Sequence, residues 1–236
     1  MRAAAGLVLP TRCAGCGAPG APWCTGCRAL ARRPPPEGRP VPSAPPCWTA
    51  TVLEGPVRRA VSAHKDGGRR DLHPELVDLL VVALTRALTE DPVLRQARRC
   101  GRLVLVVPVP ETRSAARRRG DDPVGRLAAA AVARLDDPGV VRSAGLRHAR
   151  RVADQSRLGR AGRAANLAGA LRVPEAARPA VEGSVCVVVD DVVTTGATLA
   201  EAARALRAAG ASYVAAATVA ATPRGTTGAS GGGTRA

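Results

Sequence analysis

Two adjacent carboxylates, Asp190 and Asp191, follow directly on the apolar run at residues 185–189. A short, Val-rich run of this kind predicts a buried strand, so the two acids are expected at its carboxyl end. Carboxylates in such a position accept hydrogen bonds from hydroxyl groups or hold a divalent metal ion. The residues that come next are small and mostly hydroxylated or glycine: Thr194, Thr195, Gly196, Ala197 and Thr198.

These small residues lead into a helical pattern. Backbone N–H groups and hydroxyls at a helix start, with the positive end of the helix dipole, bind a small anion such as a phosphate monoester. The two carboxylates repel that phosphate, but they can bind hydroxyls close to it. A ribose 5-phosphate carries both groups. The alternative, a strand-to-helix turn with a capped helix, explains Thr198 and Asp191 but leaves Asp190 and residues 194–196 without a role.

Four cysteines near the start of the chain follow the spacing C-x2-C-x7-C-x2-C: Cys13, Cys16, Cys24 and Cys27. Two C-x-x-C pairs this close together are typical of a tetrahedral zinc site, because four thiolates complete the shell of the metal. A closed shell leaves no position for a substrate, so zinc here would be structural. Reduced cysteines that bind no metal are the alternative.

The chain carries 35 basic and 19 acidic residues, a formal net charge of +16. Such a charge predicts a polyanionic partner, whether nucleic acid, phosphorylated metabolites or a membrane surface. It also fits the Arg-rich composition that a GC-rich genome produces, since the arginines are spread along the chain. Lys65 is the single lysine. Its retention suggests a need for a compact ammonium group, although chance explains it equally well.

Apolar patterns predict the strands and helices that hold these groups in place. Short apolar runs predict three buried strands, at residues 103–107, 185–189 and 213–220. Apolar residues at helical spacing predict a helix over residues 74–88. Strands that alternate with helices predict an α/β fold, with a parallel sheet wrapped by helices.

Local signals predict where two of the helices begin and end. Asp122 and Pro123 form an N-cap and first-turn pair. Thr198 and Glu201 have the spacing of a capping box, and Gly210 is the expected end of the same helix.

The composition divides the chain into a four-Cys module (1–31), a Pro-rich linker (32–46), an α/β domain (47–221) and a disordered tail (222–236). No run approaches the roughly 18 apolar residues of a membrane span. The first apolar run, of about seven residues, lies at the lower limit for a secretory signal. We therefore expect a cytoplasmic protein that does not insert into a membrane.

The segment VVVDDVVTTGATL, residues 187–199, resembles the signature of type I phosphoribosyltransferases, which bind phosphoribosyl pyrophosphate (PRPP). The rest of the chain is similar to the ComF-like amidophosphoribosyltransferase family, which is associated with competence and DNA uptake. The likeness rests on the four-Cys module, a PVP strand end at residues 108–110 and an RRRG run at residues 117–120, in this order. It extends from Cys13 to about Ala220.

The resemblance implies roles for individual residues. Asp190 and Asp191 would bind the ribose hydroxyls, and Lys65 matches a family lysine, so these three are the implied catalytic residues. The segment from Pro108 to Arg113 corresponds to the pyrophosphate loop, and Mg²⁺ would accompany PRPP. The 5′-phosphate would lie on Thr194, Thr195, Gly196, Ala197 and Thr198.

A second segment, residues 155–171, resembles the family's Q-x-x-L…R-x-x-N motif through Gln155, Leu158, Arg163 and Asn166. The resemblance implies a flexible hood over the active site. Its basic residues would close over a pyrophosphate, or they form an ordinary surface loop. They are Arg147, Arg150, Arg151, Arg157, Arg160 and Arg163.

One stretch departs from the family pattern. Family members usually have Phe-Asn-Gln after RRRG, whereas Asp121, Asp122 and Pro123 follow here. Two hypotheses for the function stay open. The chain is a phosphoribosyltransferase that acts on a nitrogen nucleophile and releases pyrophosphate, or it is a non-catalytic protein of DNA uptake that binds single-stranded DNA or a competence helicase.

Overall fold

A parallel sheet forms the centre of the fold in the computed structural model, which describes residues 11–33, 44–111, 122–149 and 168–223. In chain order the strands are β1 (Cys47–Val52), β2 (Val104–Pro108), β3 (Val140–Arg142), β4 (Arg147–His148), β5 (Leu171–Arg172), β6 (Val185–Val193) and β7 (Tyr213–Ala221). Five strands form the parallel sheet, in the order β1-β7-β6-β2-β3. Strands β4 and β5 pair as a separate antiparallel ribbon.

Helices cover both faces of this sheet. They are α1 (Thr25–Ala31), α2 (Gly55–Lys65), α3 (His73–Glu90), α4 (Pro92–Arg99), α5 (Pro123–Leu135), α6 (Arg178–Val181) and α7 (Ala197–Ala208). Helices α2, α3 and α5 share one apolar core with the sheet, and α7 shares the other. This arrangement confirms the predicted α/β fold with a parallel sheet and flanking helices.

The middle of the sheet is buried on both sides. Val187 and Val189 of β6 belong to the core that contains Leu80, whereas Cys186 and Val188 belong to the core that contains Leu206. Successive strand residues point to opposite faces, so both faces need apolar side chains. This explains why the sequence shows a continuous apolar run instead of an alternating pattern.

The predicted helix over residues 74–88 is confirmed as α3, with Pro74 in its first turn. Its buried face carries the apolar residues expected from helical spacing, including Leu76, Leu80 and Leu84. The strands predicted at residues 103–107 and 213–220 are confirmed within one residue at each end.

Strand β6 extends further than its apolar run predicts. The sequence indicates an end at residue 189, but β6 continues through both carboxylates to Val193. The reason is the neighbouring strand: β7 pairs with β6 as far as Val193 and Ala221. Asp190 and Asp191 therefore lie within a hydrogen-bonded strand.

The predicted capping box is wrong. Helix α7 begins at Ala197, and its N-cap is Gly196, which has φ 79° and provides no side-chain cap. Thr198 lies inside the first turn. Glu201 is buried and engaged elsewhere, because its carboxylate accepts a hydrogen bond from the Leu171 N–H at 2.9 Å. It cannot also reach back to the helix start.

Asp122 is confirmed as the N-cap of α5, and its side chain accepts a hydrogen bond from the Gly125 N–H at 2.9 Å.

We expect Asp122→Ala to lower the free energy of unfolding by about 1 kcal/mol, measured by urea denaturation. A Cβ on Gly125 would lie 2.1 Å from Asp122 Oδ2. Gly125→Ala should therefore displace the cap and also destabilise, although Ala normally favours helices. A stabilised Gly125→Ala variant would contradict this role of Asp122.

The Pro-rich linker and the tail fall mostly outside the described residues, so the predicted domain boundaries stay predictions. In the part of the chain that the structure describes, no helix is both long and apolar enough to cross a bilayer.

Candidate active site

The acidic pair lies where β6 passes beyond its buried centre. Asp191 is 8% exposed, and its Oδ2 accepts a hydrogen bond from Lys65 Nζ at 2.8 Å. Asp190 is half-buried, and its Oδ1 accepts from the Asp191 N–H at 2.8 Å. The structure thus brings together the three residues that the resemblance implies as catalytic.

Lys65 is the last residue of α2 and reaches across to β6 from one face of the sheet. Burial lowers its pKa, but the charges of Asp191 and Asp190 raise it, and the net shift is upward. Lys65 is therefore a permanent cation that compensates the acidic pair. The side chain remains 38% exposed, so the ion pair borders on solvent.

The ionised form of Asp190 is electrostatically unfavourable. Burial, and then the negative charge of Asp191, raise the pKa of Asp190 well above its usual value, while Lys65 acts in the opposite direction. An ionised carboxylate in such a position gains from a ligand that donates hydrogen bonds or carries a cation. A diol or a divalent metal ion would supply this.

The segment between β6 and α7 forms a concave turn of small residues. Thr194 is exposed and Thr195 half-buried, and the Ala197 N–H donates to Thr195 Oγ1 at 3.4 Å. Gly196 is buried with φ 79°, a conformation that side chains with a Cβ rarely adopt. The first N–H groups of a helix lack partners within the helix, and because that of Ala197 already binds Thr195, those of Thr198 and Leu199 are the ones that can donate to an anion.

The start of the expected pyrophosphate loop lies beside this turn. Pro108 ends β2 and pairs with Val189, and the Val109 N–H donates to the Val189 carbonyl at 2.9 Å. The loop therefore leaves the sheet next to Asp190. Arg113 and Asp121 lie outside the described residues, as do residues 114–120.

The expected hood lies mostly outside the described residues too, including Gln155, Leu158, Arg163 and Asn166. Its two ends are described, and they form the β4–β5 ribbon, in which Arg147 pairs with Arg172 and His148 with Leu171. Helix α7 anchors the ribbon because Glu201 and Arg204 bind the N–H and the carbonyl of Leu171, both at 2.9 Å. The same helix therefore follows the turn at residues 194–196 directly and also anchors the base of the expected hood.

Two residues near the site are not found by the sequence patterns. Glu111, just beyond β2, adds a negative charge close to Lys65. His148 Nε2 lies 3.1 Å from the Pro110 carbonyl and so connects the ribbon to the start of the pyrophosphate loop. Glu111 lies inside the predicted pyrophosphate loop and His148 in the expected hood, but the role of each depends on a contact between distant parts of the chain and has no local signal.

The four predicted metal ligands converge. The Sγ atoms of Cys13, Cys16, Cys24 and Cys27 all lie within 4.8 Å of one another. Zn–S bonds of about 2.3 Å in a tetrahedral shell need sulfur atoms about 3.8 Å apart. The Sγ atoms of Cys16 and Cys24 are 3.7 Å apart. The cluster could therefore hold zinc with little movement.

The chemistry of the cluster also favours a cation. Burial raises the pKa of Cys13, but hydrogen bonds from backbone N–H groups lower it to about 6 overall. Two of these donors are the Cys24 and Gly15 N–H groups, at 3.3 and 3.4 Å from its Sγ. Burial and the surrounding cysteines raise the pKa of Cys27. A zinc ion would stabilise all four thiolates together.

The four-Cys module packs directly on α2. Cys13, Trp23 and Cys27 share a core with the α2 residues Val57 and Ala60. The Gly15 carbonyl accepts a hydrogen bond from Arg59, and a Cβ on Gly15 would lie 2.9 Å from Pro56 Cβ. Beyond the end of α2, Arg69 donates to the Arg12 carbonyl at 3.0 Å. The module thus contacts both the helix that carries Lys65 and the segment that follows this helix.

Comparison with known families agrees with this geometry. A phosphoribosyl transferase domain model matches residues 126–230, which include β6, the acidic pair and α7. The match covers less than half of the 236 residues and leaves out Lys65 and the four cysteines. No curated protein matches the chain. The match supports phosphoribosyl transfer in general, with PRPP as the implied substrate, in an α/β protein that also has a four-Cys cluster.

Proposed function

We propose that this protein is a ComF-like phosphoribosyltransferase that binds PRPP with Mg²⁺ and transfers the phosphoribosyl group to a nitrogen nucleophile. The observation that supports it most is the acidic pair, compensated by Lys65 at 2.8 Å and close to the N-terminus of α7, which has no side-chain cap. A ribose 5-phosphate carries a diol that matches the acidic pair and a phosphate that matches the start of α7. The order of a four-Cys module before the transferase domain favours the ComF-like family.

In this proposal, Asp190 and Asp191 accept hydrogen bonds from the ribose hydroxyls. Thr194, Thr195 and the first N–H groups of α7 hold the 5′-phosphate, and the segment from Pro108 to Arg113 holds the pyrophosphate. Magnesium, when bound, would neutralise charge on the pyrophosphate and hold the ribose hydroxyls. Positioning and charge compensation are then the main contributions of the protein.

The transfer step needs no further cofactor. The nitrogen lone pair forms a bond to the anomeric carbon while the bond from that carbon to the pyrophosphate oxygen breaks. The electron pair leaves with the oxygen, and the nitrogen releases a proton to solvent. The carboxylates near the ribose stabilise the positive charge that develops on the sugar ring.

A PRPP-dependent assay of pyrophosphate release tests this proposal. We expect release with ammonia or an amine as acceptor, in the presence of Mg²⁺, and little release when EDTA removes the metal. Each candidate acceptor is supplied in excess and PRPP hydrolysis without acceptor is subtracted. PRPP that binds but is never consumed by any nitrogen acceptor would argue for a sensor or scaffold instead of an enzyme.

Lys65 is expected to control the pH dependence of PRPP binding. Binding requires ionised carboxylates, so affinity should rise with pH through the elevated pKa of Asp190. Lys65→Met removes the cation that opposes this elevation, and the midpoint of the binding profile should move to higher pH. Calorimetric titrations at a series of pH values measure it. Arg58→Met, also on α2, is the control, and an unshifted Lys65→Met profile would contradict the role of Lys65.

We further propose the domain division given by the composition, with a zinc module at residues 1–31 and a transferase domain at residues 47–221. A reducing compartment such as the cytoplasm suits the four thiolates.

A second candidate function is binding of single-stranded DNA or a helicase-type partner, and the net charge of +16 favours it. The chain has no Phe, one Tyr and two Trp, so stacking on bases would contribute little. DNA binding should therefore weaken steeply with added salt. Tight binding that is insensitive to salt would contradict this backbone-driven mode.

A further inference from the structure

A small basic cavity opens on the α2 side of the acidic pair. Its lining includes His64, Lys65, Arg70, His73, Pro123 and Arg126, and we call it the basic cavity. Pro123 and Arg126 lie in the first turn of α5, which follows β2 after the loop outside the described residues. Helices that follow parallel strands start at the carboxyl edge of the sheet, where ligands bind. The basic cavity therefore shares this edge, and its Lys65 wall, with the acidic pair.

The walls of the basic cavity are held by contacts that do not involve a ligand. The rings of His64 and His73 stack, with centroids 5.8 Å apart and planes 25° apart. They belong to the end of α2 and the start of α3, so the stack fixes the chain between these helices. Arg69 in this stretch binds Asp71 at 2.7 Å and the Arg12 carbonyl at 3.0 Å. The site is therefore preorganised.

The charge of the lining favours an anion. Two guanidinium groups on it, Arg70 and Arg126, are cations at neutral pH against one carboxylate, Asp66, and the third cation, Lys65, is already paired with Asp191. Other acids nearby have partners: Asp191 pairs with Lys65, and Asp122 caps α5. Arg70 and Arg126 are exposed, so their guanidinium groups can approach a ligand with little desolvation. Guanidinium groups bind phosphate and carboxylate in a bidentate geometry.

The volume of the basic cavity restricts what can enter. It is about 160 Å³. Sites for drug-sized ligands measure roughly 300–1,000 Å³. The basic cavity can enclose one anionic group, and it is partly open to solvent, so the rest of a larger ligand can extend outwards.

We propose that the basic cavity binds a phosphate or carboxylate group of the nitrogen acceptor, so that the acceptor is an acidic molecule. The inference rests on the proposed function, in which both anionic ends of PRPP have other binding positions. The 5′-phosphate goes to the start of α7 and the pyrophosphate to the loop after β2. A further anion-binding site at the same edge then serves the second substrate.

Calorimetry on the full chain tests the site with inorganic phosphate and with succinate, in the presence of saturating ribose 5-phosphate to occupy the α7 position. Wild-type protein should bind one of these probes, and the stronger one indicates whether the acceptor carries a phosphate or a carboxylate. Arg70→Gln/Arg126→Gln should weaken that binding at least tenfold, because two charge-assisted hydrogen bonds are lost. The control Arg99→Gln/Arg207→Gln removes the same charge from exposed positions elsewhere and should bind normally.

Three results separate this inference from the proposed function. Equal probe binding by the wild type and the Arg70→Gln/Arg126→Gln variant overturns the inference. A parallel loss of PRPP affinity in that variant also overturns it, because the cavity then holds a phosphate of PRPP itself. If ribose 5-phosphate and PRPP do not bind wild-type protein, the proposed function fails, and a probe that binds wild type but not the variant still establishes an anion site. Thermal denaturation of each variant checks that it is folded.

Discussion

Asp190→Asn/Asp191→Asn is expected to weaken PRPP binding by about 10²- to 10⁴-fold, since hydrogen bonds to charged groups contribute about 1.5–3 kcal/mol each. Both carboxylates lie in the last half of β6, close to the turn at residues 194–196, and Asp191 accepts a hydrogen bond from Lys65 at 2.8 Å. An amide keeps the shape of the side chain but loses its charge, so ribose hydroxyls and Mg²⁺ are held poorly. Calorimetry with PRPP and Mg²⁺ measures the effect.

The same double variant should keep its fold. The raised pKa of Asp190 means that its ionised form is less favourable in the folded than in the unfolded chain. Its contribution therefore makes folding less stable as pH rises from the usual value of 3.8 towards the raised value. Removing that charge at neutral pH stabilises, which offsets the lost ion pair of Asp191, and Tm should change by only a few degrees.

A matched control for the acidic pair is Glu54→Gln/Asp78→Asn. Both residues are exposed, Glu54 next to α2 and Asp78 in α3. Each variant removes two negative charges, so the change in net charge is identical. This control should bind PRPP like wild type. Unchanged PRPP affinity in Asp190→Asn/Asp191→Asn would remove the main support for the proposed function.

Cys16→Ser is expected to abolish zinc binding and to destabilise the protein strongly. Cys16 is exposed, so its substitution costs no core packing, and any large effect must come from the metal. Structural zinc contributes about 10–16 kcal/mol of binding free energy in small zinc-finger peptides. Losing even about 3 kcal/mol of this would lower Tm by roughly 6–12 °C. Metal analysis should find one zinc per wild-type chain, and thermal denaturation measures the loss.

The effect of zinc loss should also reach the PRPP site. The module contacts α2 through Gly15 and the segment after α2 through Arg12, and α2 ends at Lys65. PRPP affinity should therefore fall in Cys16→Ser and in EDTA-stripped protein assayed after Mg²⁺ is restored. Cys100→Ser, at a second exposed cysteine, should retain zinc, stability and PRPP affinity. A Cys16→Ser protein with full zinc content would show that the cluster is not the metal site.

Several features of the fold follow from local patterns alone. Helix α3, the buried part of β6 and the Asp122 cap are predicted correctly, because apolar periodicity and capping chemistry act over a few residues. The end of β6 is not predicted correctly, because pairing with β7 extends the strand to Val193 and the local sequence does not indicate this pairing. The start of α7 is also predicted incorrectly, because Glu201 accepts a hydrogen bond from Leu171 on the β4–β5 ribbon and does not cap the helix.

The candidate site divides in the same way. Spacing within the sequence was enough to identify the acidic pair, the small residues after it and the four cysteines, because each group lies within a short segment. Only the tertiary structure decided that Lys65 compensates Asp191, which is 126 positions away, and that Arg70 and Arg126 line one cavity. A short motif specifies its own backbone geometry, whereas charge compensation and cavity shape depend on which distant helices the two apolar cores bring to the edge of the sheet.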